Sequence, residues 1–293
     1  MQNEDYPLEV SEEMIKECIT DLYINPKKSI VKWSKITNQT AQGKFAYPSQ
    51  HLASLITKMK GGGSAARGDD LSDGSEVKSC SRADQLNECK KCGFNVLTWQ
   101  NKCPSCGSSE IRTDTSSHWI FPITSDSEFE LLLNKIPRII LILFDKEDIA
   151  KDNVRIRAWI INPKEKHVIN FFTDYYINNY KKKISEGKDP APCNFHPLKY
   201  DFYLMKPKLI FHAEIIDNEV KIVFWDLDKP QEQPIISSLL SKEKLIEIYG
   251  ESVAKLKKED IVRKYPFIPD KYFNLLEIKE KKLKSYKNKY FRR

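Results

Sequence analysis

Glu76 and Lys78 stand two positions apart, just after an acidic stretch that holds Asp69, Asp70 and Asp73-Gly74. Residues two apart on a strand share a face, so the carboxylate and the ammonium point the same way. Asp73-Gly74 is turn chemistry, because glycine accepts the positive φ that closes a tight hairpin. A three-residue loop over Ser72, Asp73 and Gly74 sets Leu71 opposite Ser75 and Asp70 opposite Glu76. Two carboxylates and an ammonium then converge. A two-residue Asp73-Gly74 turn would set Asp69 opposite Lys78 instead, which leaves Asp69 as the alternate acid. Such a group suits Mg²⁺, a hard cation that commonly binds through one or two carboxylates plus a substrate phosphate. With an ammonium alongside, the same parts serve phosphodiester hydrolysis, in which Lys78 orients a water or offsets charge on the phosphorus centre. A lone Glu-X-Lys is a common solvated strand, and here the acidic turn and the glycines before it add weight.

A second constellation follows, Cys89-Lys-Lys-Cys92-Gly and Cys103-Pro-Ser-Cys106-Gly, with ten residues between the knuckles. Each CXXC aims two thiolates at one corner of a tetrahedron, and the following glycine permits the tight turn. Cys89, Cys92, Cys103 and Cys106 therefore read as a zinc ribbon. The zinc should be structural, because four thiolates fill its coordination sphere. Lys90, Lys91, Lys102 and Arg112 make the module basic, so it either supports the fold or grips DNA. Phe94 to Trp99 reads as a small hairpin between the knuckles. Cys18, Cys80 and Cys193 are left over; alternation with Glu76 and Lys78 sets Cys80 near the same face, as a small buried residue.

The acidic turn and its Glu-X-Lys resemble the PD-(D/E)XK nuclease superfamily, and more narrowly the type II restriction endonucleases. In that family an acid on one strand and an acid-X-Lys on the next carry metal and catalytic lysine, and the resemblance maps these roles onto Asp70, Glu76 and Lys78. No Pro precedes Asp70 and the acid-to-acid spacing is short, so Asp69 and Asp73 stay open as replacements for Asp70. The stretch that carries the resemblance is residues 47–83.

Composition agrees with a polyanionic partner: the 293-residue chain has a net charge of +7. No apolar run reaches the length of a membrane span, and the N-terminus lacks a secretory pattern, so a cytoplasmic protein of a bacterial or archaeal cell is expected. A reducing compartment favours metal over disulfides at the four knuckle cysteines.

These residues need elements to hold them. Residues 11–23 have helical periodicity behind a Ser11 cap, with Glu13 and Glu17 either helping to hold metal or lying on an ordinary exposed face. Residues 27–46 are polar and basic, with Trp33 as an anchor and Gln39, Gln42 and Lys44 free to meet DNA. A helix opened by Pro48 runs to Gly61-Gly62-Gly63, whose glycines lead to the acidic turn. The phosphate-loop reading of 61–68 fails, since no Gly-Lys-Ser/Thr follows and the helix precedes the glycines; Arg67 could instead meet a DNA phosphate. Arg138 to Asp145 is a continuous apolar strand of the kind buried on both faces, and Val154 to Ile161 alternates like its neighbour. Arg155 and Arg157 share a face, available to phosphates. A helix near 165–186 follows, then a hairpin of 209–216 and 219–225 turning at Asp217-Asn218. That hairpin holds a second Glu-X-Lys, Glu219 and Lys221, without a companion acid in a polar loop. Charged helices are expected over 241–285, and residues 279–293 carry eight Lys or Arg against one Glu, a tail able to neutralise phosphates.

The expected fold is α/β, a mixed central sheet flanked by helices as in restriction endonucleases, with a small zinc-ribbon insert. The expected organisation is an N-terminal helical, DNA-contacting region at 1–46, a nuclease core at 47–84 and 115–240, the ribbon at 85–114 and a basic helical region at 241–293. The expected activity is Mg²⁺-dependent, sequence-specific cleavage of double-stranded DNA by a homodimer, with Zn²⁺ as the structural metal. A repair nuclease or junction resolvase of the same fold, or a non-catalytic zinc-ribbon DNA-binding protein, would share much of this pattern.

Overall fold

A computed structural model describes residues 8–37, 39, 41, 43, 46–63, 70–83, 86–96, 102–112, 117–146, 153–197, 202 and 205–232. The chain divides into two units, Met1–Trp119 with Lys135–Ile160 and Lys208–Gln231, and Ile120–Asn134 with Ile161–Pro207 and Glu232–Arg293. The expected helices over 241–285 and the basic tail lie outside the described residues.

In the first unit, helix α1 (Glu12–Ile19) starts where the Ser11 hydroxyl accepts the Met14 N–H, satisfying one of the amides a helix start leaves unpaired. A π-helical turn at Thr20–Ile24 carries it into α2 (Asn25–Thr37). Helix α3 (Ala46–Thr57) starts near Pro48 as expected but ends before the glycines, with Lys58 in the left-handed region at φ 56. The Trp225 indole donates to the Ile56 carbonyl at 2.8 Å, pairing an oxygen that the helix end leaves open.

The central sheet is mixed. Its strands are β1 (Glu76–Ser81), β6 (Ile139–Asp145), β7 (Val154–Ile161), β9 (Lys208–Ile216) and β10 (Glu219–Trp225), hydrogen-bonded in that order, with β11 (Gln231–Glu232) also paired to β9. Strands β1 and β6 run parallel, with Glu76 beside Ile139 and Lys78 beside Leu141. Strand β9 is antiparallel to both β7 and β10. Every residue of β6 is buried, as its unbroken apolar run predicts. The β9–β10 hairpin turns on Asp217 and Asn218, both at positive φ (51 and 69), the conformation a two-residue turn between right-twisted strands requires.

One face of this sheet holds the main core. Val77, Ile140, Ile142, Phe144, Val154, Ile156, Ala158 and Ala213 pack there with Ile15 and Ile19 of α1 and Leu52, Ala53 and Ile56 of α3. Strand alternation therefore turns Glu76, Lys78 and Cys80 to the opposite face. The ribbon is a three-stranded sheet of its own, β2 (Asn87–Cys89) between β3 (Asn95–Val96) and β4 (Ile111–Arg112).

In the second unit, β5 (Trp119–Phe121) pairs with β8 (Cys193–Phe195). Phe121, Phe171, Phe172 and Phe195 meet edge to face, an arrangement favoured by the aromatic quadrupole. Helix α4 (Asp126–Glu130) runs into a π-helical turn, and α5 (Lys166–Tyr175) continues through another into α6 (Lys182–Ser185).

Candidate active site

The acidic turn closes in the three-residue register. Gly74 has φ 82, its N–H reaches the Leu71 carbonyl at 2.9 Å, and the Leu71 N–H reaches the Ser75 carbonyl at 3.3 Å. Leu71 also bridges back to Gly61, and the Ser72 N–H donates to the Lys60 carbonyl at 2.8 Å, so the glycine segment runs alongside the turn. Asp73 is spent inside it: one carboxylate oxygen accepts the Ser75 N–H at 3.0 Å and the other meets the Arg138 guanidinium at 2.8 Å. Arg138 donates a further bond to the Ser75 hydroxyl at 2.9 Å. Arg138 thus ties the turn to the start of β6. Asp69 and Arg67 lie outside the described residues.

Asp70 does not sit on a ladder opposite Glu76, as a regular hairpin would have it. Strand β1 is an outer strand of the sheet among the described residues, and the Asp70 carboxylate takes the place of a neighbour, accepting the Val77 N–H at 2.8 Å. Its other oxygen accepts from the Gln50 side-chain amide at 2.5 Å. A carboxylate oxygen has two acceptor sites, so each Asp70 oxygen retains one. Glu76, 3% exposed, forms an ion pair with Lys78 on the same strand face. The structure therefore brings Asp70, Glu76 and Lys78 together at the start of β1.

Burial raises the Asp70 pKa, and the charge of Glu76 adds to that rise against the opposing pull of the Val77 N–H, Lys78 and Gln50. Two acids that repel each other beside a single ammonium form a set of hard oxygen donors with a net negative charge. That donor set fits a divalent cation such as Mg²⁺.

The four ribbon sulfurs all lie within 4.8 Å of one another, with Cys89–Cys106 and Cys92–Cys103 at 3.6 Å. A disulfide needs about 2.05 Å, whereas tetrahedral zinc with bonds of about 2.3 Å sets its sulfurs about 3.8 Å apart. The cluster fits zinc. Each knuckle is closed the same way: Gly93 and Gly107, both at φ 71, donate to the Cys89 and Cys103 carbonyls at 2.8 and 2.9 Å. Val96, Phe94 and Ile111 supply its small apolar core. Trp99 lies outside the described residues.

Other expectations resolve differently. Glu13 and Glu17 are exposed on α1, with Glu13 paired to Lys16 at 3.6 Å. Trp33 is no anchor, being 57% exposed. Arg155 and Arg157 are not an open phosphate-binding face: both bind Asp145, at 3.0 and 2.6 Å, and Asp145 is buried. Next to them, burial first and Arg157 second depress the pKa of His212. Cys80 is buried, and that burial drives its thiol pKa far up, the behaviour of an inert core residue. In the second Glu-X-Lys, Glu219 and Lys221 are exposed, and Asp226 caps its own turn through the Asp228 and Lys229 N–H groups. Sequence reasoning missed Gln50 and Arg138. Gln50 is an ordinary helical residue 20 positions from Asp70; its only sequence signal is that α3 directly precedes the turn.

Residues 32–243, well over half of the chain, match the model of the MamI restriction endonuclease family. The type II restriction enzyme MamI of Microbacterium ammoniaphilum is 27% identical over 154 residues, which span 52% of this chain and 44% of that enzyme. Less than half the length of that relative is thus matched. No solved structure matches the chain. The matched span contains the acidic turn, β1, the four cysteines and the whole central sheet, and by that match the chain belongs to the MamI restriction endonuclease family.

Proposed function

We propose that the protein is a type II restriction endonuclease that hydrolyses phosphodiester bonds of double-stranded DNA at a short sequence, with Asp70, Glu76 and Lys78 as its catalytic residues. The observation that carries this reading is the Asp70 carboxylate, held by the Val77 amide and Gln50 next to the Glu76–Lys78 pair. Asp70 and Glu76 would hold Mg²⁺, which when bound polarises the scissile phosphate and acidifies a water molecule. Lys78, paired with Glu76, sets a fixed positive charge beside these acids, where it orients the attacking water and offsets charge developing on the phosphate. Gln50 fixes the plane of the Asp70 carboxylate, and Arg138 fixes the turn that presents it. Both act through their neighbours.

Cys89, Cys92, Cys103 and Cys106 would hold structural Zn²⁺ in a ribbon inserted after β1, consistent with a reducing cell interior. No helix among the described residues is long and apolar enough to cross a membrane. A homodimer follows from the chemistry, since two active sites related by a twofold axis cut both strands of a symmetric sequence.

The test is a digest of supercoiled plasmid by the zinc-loaded chain with Mg²⁺, followed by mapping of the ends. Discrete fragments with a common end sequence are expected. Nicking confined to branched DNA would assign a repair or junction nuclease, and binding without cleavage in either Mg²⁺ or Mn²⁺ would assign a non-catalytic DNA-binding protein.

A further inference from the structure

Helix α2 has no part in the catalytic group, and its construction is unusual for a helix of a folded unit. None of its thirteen residues is buried, and its sequence, NPKKSIVKWSKIT, contains no acid. On a helix, positions i, i+4 and i+7 line one face. Lys28, Lys32 and Lys35 have that spacing, and so do Ser29, Trp33 and Ile36 on the adjacent stripe. All six are exposed, Trp33 at 57% and Ile36 at 65%. Among the described residues no carboxylate pairs with any of the three lysines; Lys32 instead lies 5.7 Å over the Trp33 ring.

A solvated helix face usually mixes its charges, because like charges at this spacing repel and destabilise the helix. This face has only one sign. The chain also leaves two large apolar side chains in water beside it, where a core-facing helix would have buried them. From Lys28 to Lys35 the helix rises about 10 Å, and duplex DNA carries a negative charge about every 1.7 Å along its axis. Three phosphates can therefore be met at once, with Trp33 and Ile36 against the apolar faces of the sugars.

We propose that the Lys28–Lys32–Lys35 face of α2, with Trp33 and Ile36, docks on the sugar-phosphate backbone of duplex DNA. The choice of DNA as the polyanion rests on the endonuclease reading. Contacts of this type position the protein and carry no sequence information, so the face adds affinity and register without selecting a site.

The test measures binding of the full zinc-loaded chain to a duplex oligonucleotide across a salt series, in Ca²⁺ in place of Mg²⁺. Each phosphate contact contributes about 0.9 to the slope of log K against log salt. The triple variant Lys28→Gln, Lys32→Gln, Lys35→Gln preserves helix propensity and should lower that slope by about 2 to 3, with unchanged circular dichroism. Trp33→Ala should weaken binding without changing the slope. An unchanged slope in the triple variant overturns the proposal. So does wild-type binding to phosphatidylserine vesicles that the variant loses while duplex binding persists, which would make the face a membrane contact. A wild type that binds duplex but never cuts it in Mg²⁺ removes the endonuclease reading alone, and the slopes still decide the role of α2.

Discussion

The ribbon and the carboxylate site are assembled by different routes. The four sulfurs come from two short knuckles, each closed by its own glycine and its own backbone bond, so the local chain conformation nearly completes the cluster. Asp70, Glu76 and Lys78 are also close in sequence, but their placement depends on partners from elsewhere: Gln50 from α3, Arg138 from the start of β6, and the parallel pairing of β1 with β6. A site of four soft ligands leaves no open position, while each oxygen of the Asp70 carboxylate retains an acceptor site. The first is suited to holding a fold together and the second to chemistry.

The contrast can be broken at several points. The largest effect is expected at the carboxylate site: Glu76→Ala or Lys78→Ala should lower plasmid cleavage by roughly 10³-fold or more, with duplex affinity in Ca²⁺ kept within a few fold. A variant that still cuts at the wild-type rate would remove these residues from the mechanism. Next comes the ribbon, where metal analysis should find one zinc per chain in the wild type and none in Cys92→Ser. Because structural zinc contributes about 10 kcal/mol or more in small modules, residues 86–112 should become protease-sensitive; retention of a full zinc complement would disprove the four-cysteine site.

Gln50→Leu sharpens the difference, since Gln50 reaches the carboxylate site from a separate helix. Loss of an outer partner typically costs 10–100-fold in metal affinity or activity, so Mn²⁺ titrated calorimetrically should bind more weakly by that order while the melting temperature stays near wild type. Equal Mn²⁺ affinity would leave Gln50 without a positioning role. The smallest change is expected from Arg138→Met, which removes a partly buried ion pair to Asp73 and a bond to Ser75. Thermal unfolding should show a loss of about 1 kcal/mol; no loss would mean that the turn holds its register unaided.

What could be seen beforehand follows the same division. The knuckles were legible because ligand type, spacing and the terminal glycine all sit within five residues. The register at Asp70 was legible only as one of two: Gly74 accepts the positive φ of either a two-residue or a three-residue loop, and the Leu71–Ser75 backbone bond shows the second. The two arms read as a hairpin ladder, and they do not form one: β1 pairs with β6 along one edge, and at its other edge the Asp70 carboxylate, instead of a backbone carbonyl, accepts the Val77 N–H. Arg155 and Arg157 were misread for a similar reason: on alternation alone they look like surface, and only the fold brings the buried Asp145 between them. Gln50 had no signature, since a glutamine on a helix becomes meaningful only through what it touches. Trp33 was expected to serve as an anchor on the usual bias of large aromatics toward the interior, and α2 supplies no interior for it.

The bond from Val77 to Asp70 has a consequence apart from chemistry. An outer strand offers unpaired amides to which a strand of another molecule can add, and proteins guard such edges with charge. Asp70 occupies one of those amides with a charged group, so the acid proposed to hold metal also shields the rim of the sheet. Asp70→Asn keeps an acceptor for Val77, while Asp70→Ala bares it. Size-exclusion chromatography should show the alanine variant self-associating more than the asparagine variant, which makes asparagine the cleaner substitution for separating chemistry from solubility.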